Sequence, residues 1–257
     1  SVNFEELKWL QPGITWSPDS KKIAFAAKSG KSDVIHIVDV ESGKTDKISI
    51  NLDGVFSASW SPNGENIAFV GHKGNASDLF LFNIQDETFI QLTSDPFSDS
   101  NPSWNKSGTR IAFVSDRGKF VNGEYAGKMS EHDYMQSDIY IFDVKTSEIQ
   151  QITDTPQKED HPVWAHQSNT LFYTSDKKGV WNIWRHDLTA DDQDAYPISN
   201  VLTGLQQLSL SQDDELLIFS GYAGTGWDIY SLSKPLDLES VPVPETQFIK
   251  NKMNRDE

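Results

Sequence analysis

The sequence predicts an all-β fold, a β-propeller of four-stranded antiparallel blades, and three observations predict it. A tryptophan-centred phrase recurs along the chain, further short runs of β-branched and aromatic residues follow each copy, and turn residues separate those runs. One such sheet cannot bury both of its faces alone, so neighbouring sheets must pack on one another around a ring. Five units are detected in the 257 residues, and a six-bladed variant with one irregular blade stays open.

The register of the repeat rests on markers that keep step with one another. The phrase Gly13-Ile14-Thr15-Trp16-Ser17-Pro18-Asp19 returns as Ser57-Ala58-Ser59-Trp60-Ser61-Pro62-Asn63 and as Asn101-Pro102-Ser103-Trp104-Asn105-Lys106-Ser107. It returns again at His161-Pro162-Val163-Trp164, and a degenerate fifth copy has Leu210 in the tryptophan place. Successive copies are 44, 44, 60 and 46 residues apart, and the aromatics Phe25, Phe69, Phe113, Tyr173 and Phe219 follow the same steps. A later marker, Asp39, Asn83, Asp143, Asp187 and Ser233, takes its long step one interval earlier, which places an insertion near residues 119–135.

The elements follow in chain order. Residues 1–10 form a strand that closes the ring against the last blade, removing exposed edges. The blades span about 13–50, 57–93, 101–153, 161–199 and 205–250, a single domain over 1–250, and 251–257 is a tail or linker. Ser17-Pro18-Asp19-Ser20 and Ser61-Pro62-Asn63-Gly64 are turns: proline presets φ at the second position, and Asn-Gly tolerates positive φ. The recurring Trp and Phe side chains are the cores between blades.

Composition excludes several function classes. A net charge of −16 disfavours nucleic acid, whose phosphates need Lys and Arg. No run approaches 18 apolar residues, so this segment does not insert in a membrane as a helix. Cysteine is absent, which removes disulfides, zinc–thiolate sites and thiol nucleophiles. The opening Ser1-Val2-Asn3-Phe4 and the charged stretch Lys250-Asn251-Lys252-Met253-Asn254-Arg255 read as the ends of a piece with flanking domains in a longer chain.

Trp16-Ser17-Pro18-Asp19, Ile111-Ala112-Phe113-Val114-Ser115-Asp116-Arg117-Gly118, Ser137-Asp138-Ile139-Tyr140 and Gln91-Leu92-Thr93 together resemble the TolB-like propeller repeat, over about residues 13–233. The resemblance implies a bacterial, mostly exported protein, periplasmic or associated with the cell envelope, that serves as a binding or assembly platform. Gly226-Trp227-Asp228-Ile229-Tyr230 and Pro242-Val243-Pro244 look like propeller segments of large envelope proteins.

Candidate site residues come from chain direction. Inner strands all start at one mouth of the ring, so the loops between blades and the 119–135 insertion emerge together there. Asp53, Asp99, Asn101, Asp160 and His161 precede or open inner strands and are expected to converge on that mouth. Their oxygens suit a basic peptide end, or a Ca²⁺ or Mg²⁺ ion in the central channel with Asp99 and Asp160 as ligands. The competing reading is that they cap turns or face water. No metal is assigned and no cofactor is expected. The insertion carries Phe120, Tyr125 and Tyr134 and is expected to contact a partner. No Gly-x-Ser-x-Gly elbow or His-Glu-x-x-His helix is present, and His161 and His166 make a poor metal pair. The expected function is a non-enzymatic docking platform for a protein or peptide. The alternative is the accessory or gating propeller of a larger peptidase or hydrolase.

Overall fold

The computed structural model describes residues 13–29, 32–74, 76–123, 125–189 and 195–256. The ring-closing strand expected over 1–10 lies outside them. Blade one consists of β1 (Thr15–Trp16), β2 (Lys22–Ser29), β3 (Ser32–Asp39) and β4 (Thr45–Ser49). Blade two is β5 (Gly54–Trp60), β6 (Asn66–Lys73), β7 (Ala76–Asn83) and β8 (Thr88–Gln91). Blade three is β9 (Asp99–Trp104), β10 (Arg110–Ser115), β11 (Asp138–Asp143) and β12 (Ile149–Gln151). Blade four is β13 (Glu159–Trp164), β14 (Thr170–Ser175), β15 (Asn182–Asp187) and β16 (Tyr196–Pro197). Blade five has three strands among the described residues, β17 (Leu205–Leu210), β18 (Leu216–Ala223) and β19 (Gly226–Ser233). Each sheet is an antiparallel meander in sequence order, and the five stand in a ring as a β-propeller.

The turn chemistry reads through to hydrogen bonds. Ser17 Oγ donates to Asp19 Oδ1 and accepts from Lys22 N; Ser61 with Asn63 and Ser211 with Asp213 repeat the arrangement. The marker at the end of the third strand is a cap in blades one to four. Asp39, Asn83, Asp143 and Asp187 each accept backbone N–H groups from the hairpin that follows.

Both faces of a middle strand are buried, so its apolar run is unbroken. On β6, Ile67 and Phe69 pack toward blade one, while Ala68 and Val70 pack toward blade three. Each large side chain hidden this way contributes about 1.5–3 kcal/mol. Four such clusters join blades one to two, two to three, three to four and four to five. No cluster among the described residues joins blade five to blade one.

Positional equivalence makes the open side plain. Ile218 and Ile229 of blade five stand where Ala68 and Leu79 stand in blade two. Leu79 is 0 % exposed and Ile229 is 81 % exposed. Trp16 of blade one is 56 % exposed, whereas its counterpart Trp164 is 1 % exposed.

Residues 235–250, counted with blade five on sequence grounds, turn away from it. Lys234 adopts a left-handed φ of 50°, a short 3₁₀ turn covers Pro235–Asp237, and the chain crosses to blade four. There Val241 N donates to Pro197 O, Asn200 Nδ2 to Pro242 O, and Arg185 Nη1 to Leu236 O. Pro235, Pro242 and Pro244 have no N–H for a ladder, so this stretch is unsuited to a fourth strand on β19. Helix α1 (Gln247–Asp256) follows, with Ile249 buried against the turn at Gly179, where a side chain would collide with Thr246.

Candidate functional site

Each inner strand from blade two onward carries a bulge three residues before its Trp or Leu marker. The ladder register shifts between Phe56 and Ser59, Asp160 and Val163, and Gln206 and Ser209 on the inner strands, and opposite β9 between Ala112 and Val114. The bulged residues Ser57, Asn101, His161 and Gln207 all have left-handed backbones, with φ of 49°, 50°, 52° and 60°. In blade one Gly13 holds the same phase, and a Cβ there would lie 3.1 Å from Ser57 N. Left-handed residues other than glycine cost roughly 1–2 kcal/mol each, so this strain recurs at one level of the ring.

These residues form a hydrogen-bonded neck across three blades. Ser57 Oγ donates to Asn101 Oδ1 at 3.3 Å, and Asn101 Nδ2 donates to Asp160 Oδ1 at 2.6 Å. The same oxygen accepts His161 N at 2.7 Å, and His161 Nδ1 lies 3.3 Å from Thr174 Oγ1. Burial pulls the imidazole of His161 below its usual range, against the pull of Asp160, so it is neutral at pH 7.

The Asp160, His161 and Thr174 side chains do not make a catalytic relay. Asp160 and Thr174 both approach Nδ1 of His161, whereas a relay needs the acid on one ring nitrogen and the nucleophile on the other. Thr174 is fully buried and its hydroxyl donates to Asp160 O. No three His, Asp or Glu side chains among the described residues gather as metal ligands.

From the neck a cavity of about 560 Å³ runs between the later halves of the inner strands to the Ser-Pro turns. Asn101, His161 and Gln207 line one end, and Trp16, Trp60 and Trp104 line its walls. Leu216 and Ile218, on the exposed face of blade five, also border it. The cavity therefore communicates with the face of blade five that the described residues leave exposed.

The expected site residues divide among three places. Asn101 and His161 meet at the neck, with Asp160 beside them. Asp53 is exposed and accepts Gly74 N. Asp99 lies inside the junction of blades two and three: Oδ1 accepts Arg117 Nη2 at 2.6 Å, and Oδ2 accepts the Thr93 hydroxyl at 2.6 Å. Burial pushes its carboxyl up, opposed by the guanidinium, which also holds Asp95 at 2.8 Å. Both oxygens of Asp99 are thus engaged within the protein.

Phe120 and Tyr125 belong to an aromatic cluster. The buried ring of Phe97 sits 5.3 Å from Phe120, 4.9 Å from Tyr125 and 5.1 Å from His132. Asp116 accepts Ser98 N and lies 3.1 Å from His132 Nε2, fixing the insertion to the loop between blades two and three. Tyr134 and Met135 face outward. The insertion sits where the inner strands begin, while the cavity lies along their later halves. Sequence reasoning missed Phe97, Arg117 and Gln207; their phase within the repeat was the signal that could have found them.

Residues 8–120 match the family model described as the TolB beta propeller domain. Over those residues the repeat is of the TolB type. Among solved structures this propeller is similar to TolB from Acinetobacter baumannii, at 17 % identity and a TM-score of 0.69, covering 87 % of this chain and 51 % of that one. A protein of Agrobacterium tumefaciens described as TolB is similar at 15 % identity and a TM-score of 0.69, over 87 % and 76 %. A puromycin-hydrolyzing peptidase of Mycobacterium tuberculosis is similar at 13 % identity and a TM-score of 0.60, over 89 % and 38 %. The chain thus spans about half the length of the Acinetobacter protein, and identities this low speak for the fold. No curated protein sequence matches the chain. No helix of the described residues is long and apolar enough to cross a membrane.

Proposed function

We propose that this propeller is a non-enzymatic docking platform for a protein or peptide, working in the bacterial cell envelope. The observation that carries the reading is the continuity of the axial cavity with the uncovered apolar wall of blade five. Ile218, Tyr222, Trp227 and Ile229 share that wall, with Trp16 exposed on blade one. Contiguous exposed apolar surface bordering a cavity is the usual form of a binding site. The envelope location rests on the likeness to TolB proteins.

The test compares capture from an envelope extract by the wild type, by Trp227→Asp/Ile229→Asp, and by a variant lacking 119–135. A defined partner retained by the wild type and by the deletion, but lost from the double variant, supports docking at the uncovered wall. Equal retention by the double variant overturns it. A second reading, a propeller that gates a larger peptidase, is supported by the likeness to the mycobacterial peptidase. A peptidase domain in the same polypeptide, with cleavage of short peptides that responds to cavity substitutions such as Asn101→Ala, is its test.

A further inference from the structure

Two junctions of the ring are built from the same positions, sixty residues apart. Between blades two and three these positions are Asp78, Thr93, Asp95, Asp99, Ser115 and Arg117. Between blades three and four they are Asp138, Thr153, Thr155, Glu159, Ser175 and Lys177. In the first, Arg117 reaches Asp95 and Asp99 and is steadied by Ser115 Oγ at 3.0 Å. In the second, Lys177 turns away, its Nζ lying 5.1 Å from the centre of the Trp184 ring. Among the described residues no basic group replaces it beside Glu159.

Two acids are left together without a cation. Glu159 and Asp138 are 1 % and 3 % exposed and meet at Thr155, whose N–H donates to Asp138 Oδ1 at 3.4 Å and whose hydroxyl donates to Glu159 Oε1. Thr155 and Ser175 hydroxyls donate to Glu159 Oε1 at 2.8 and 3.0 Å, and Thr153 Oγ1 lies 3.4 Å from Asp138 Oδ1. No N–H or O–H group of the surrounding protein serves Glu159 Oε2. Two buried carboxyl groups held on one threonine repel as carboxylates and attract only when one of them carries a proton. The other titratable groups facing the pair are Asp154 after β12, Tyr140 on β11 and Tyr173 on β14; none is a cation.

The same place anchors the insertion. Gln136 Nε2 donates to Thr155 O and Gln157 O, both at 2.7 Å, while Ser137 Oγ donates to Glu159 O and Glu159 N donates to Ser137 O. We infer that Asp138 and Glu159 share one proton at neutral pH, that this proton stands where the other junction has a guanidinium, and that its loss loosens the base of the insertion. The device does not depend on the docking reading. Burial first, and then Asp138, pushes the Glu159 carboxyl up to about 8, so the latch opens in mildly alkaline solution.

The experiment follows hydrogen-exchange protection factors of the Ile139 and Glu159 amides from pH 6 to 9, in the wild type, Glu159→Gln and Lys177→Arg. Glutamine copies the protonated acid, and arginine rebuilds the other junction. Wild-type protection is expected to fall at least about tenfold over this range, while both variants change less than about twofold. The infrared carbonyl band of buried protonated carboxyls at pH 7 is expected to be weaker in Glu159→Gln than in the wild type, the remainder belonging to Asp78. A flat wild-type profile, or the same fall in Glu159→Gln, overturns the proposal. So does restoration of protection at pH 9 by Ca²⁺ or K⁺, which would make the occupant a metal ion.

Discussion

Asn101 Nδ2 lies 2.6 Å from Asp160 Oδ1 and ties blade three to blade four at the neck of the cavity, from a residue whose φ is +50°. The side chain and the backbone can be separated by substitution. Asn101→Ala loses the bond and adds left-handed strain, a cost of about 2–3 kcal/mol. Asn101→Gly loses the bond alone and costs about 1 kcal/mol less. Urea unfolding of the three proteins should rank them wild type, Gly, Ala.

Among the described residues, Arg117 is the cation paired with Asp95 and Asp99. Removing it as Arg117→Met strands buried carboxylates and costs about 3–5 kcal/mol. The loss should be smaller at pH 5 than at pH 8, because a stranded acid regains neutrality by taking a proton. Lys177→Met at the equivalent position loses only a cation–π contact of about 0.5–1 kcal/mol. Thermal melts of both variants at the two pH values check the contrast.

The open side makes two like residues respond unlike. Leu79→Ala empties a filled junction and should cost about 2–5 kcal/mol. Ile229→Ala, at the equivalent place in blade five, should stay within about 0.5 kcal/mol of wild type. Equal costs in denaturant would mean that blade five's wall is covered in solution.

Asp78 sets a pH slope. Burial first, then Asp99 and Asp95, pushes its carboxyl up to about 7. Between its unfolded value near 4 and about 7, the folded protein holds more protons than the unfolded chain, so stability falls as pH rises through that window. Asp78→Asn should make the slope shallower without abolishing it, because Glu159 titrates in the same direction. Melting temperature against pH from 4 to 9 is the measurement.

The blades were legible because their markers carry fixed chemistry: Trp104 fills a junction, Asp143 caps a hairpin, and the Ser61–Asn63 turn is closed by its own side chains. The site was legible only in part. Asp53, Asp99 and Asp160 were grouped because each precedes or opens an inner strand, yet they occupy different phases of the repeat. Asp99 is equivalent to Val55 and Glu159, inside a junction, and Asp53 is equivalent to Phe97. Only residues in one phase meet at the axis, and Ser57, Asn101, His161 and Gln207 share that phase. The burial of Asp99 depended on Arg117, eighteen residues further on, a pairing that turn chemistry does not encode. The departure of residues 235–250 from blade five was foreshadowed by its prolines.

Among the described residues, four apolar seams join the five sheets and leave two ends. Blades two, three and four are each gripped from both sides, whereas blades one and five are gripped by the described residues from one side. In a linear array of nearest neighbours the terminal units fray first and unfolding travels inward. Loss of structure should therefore begin at the two sheets that border the opening, leaving the insertion-bearing centre as the last part to melt.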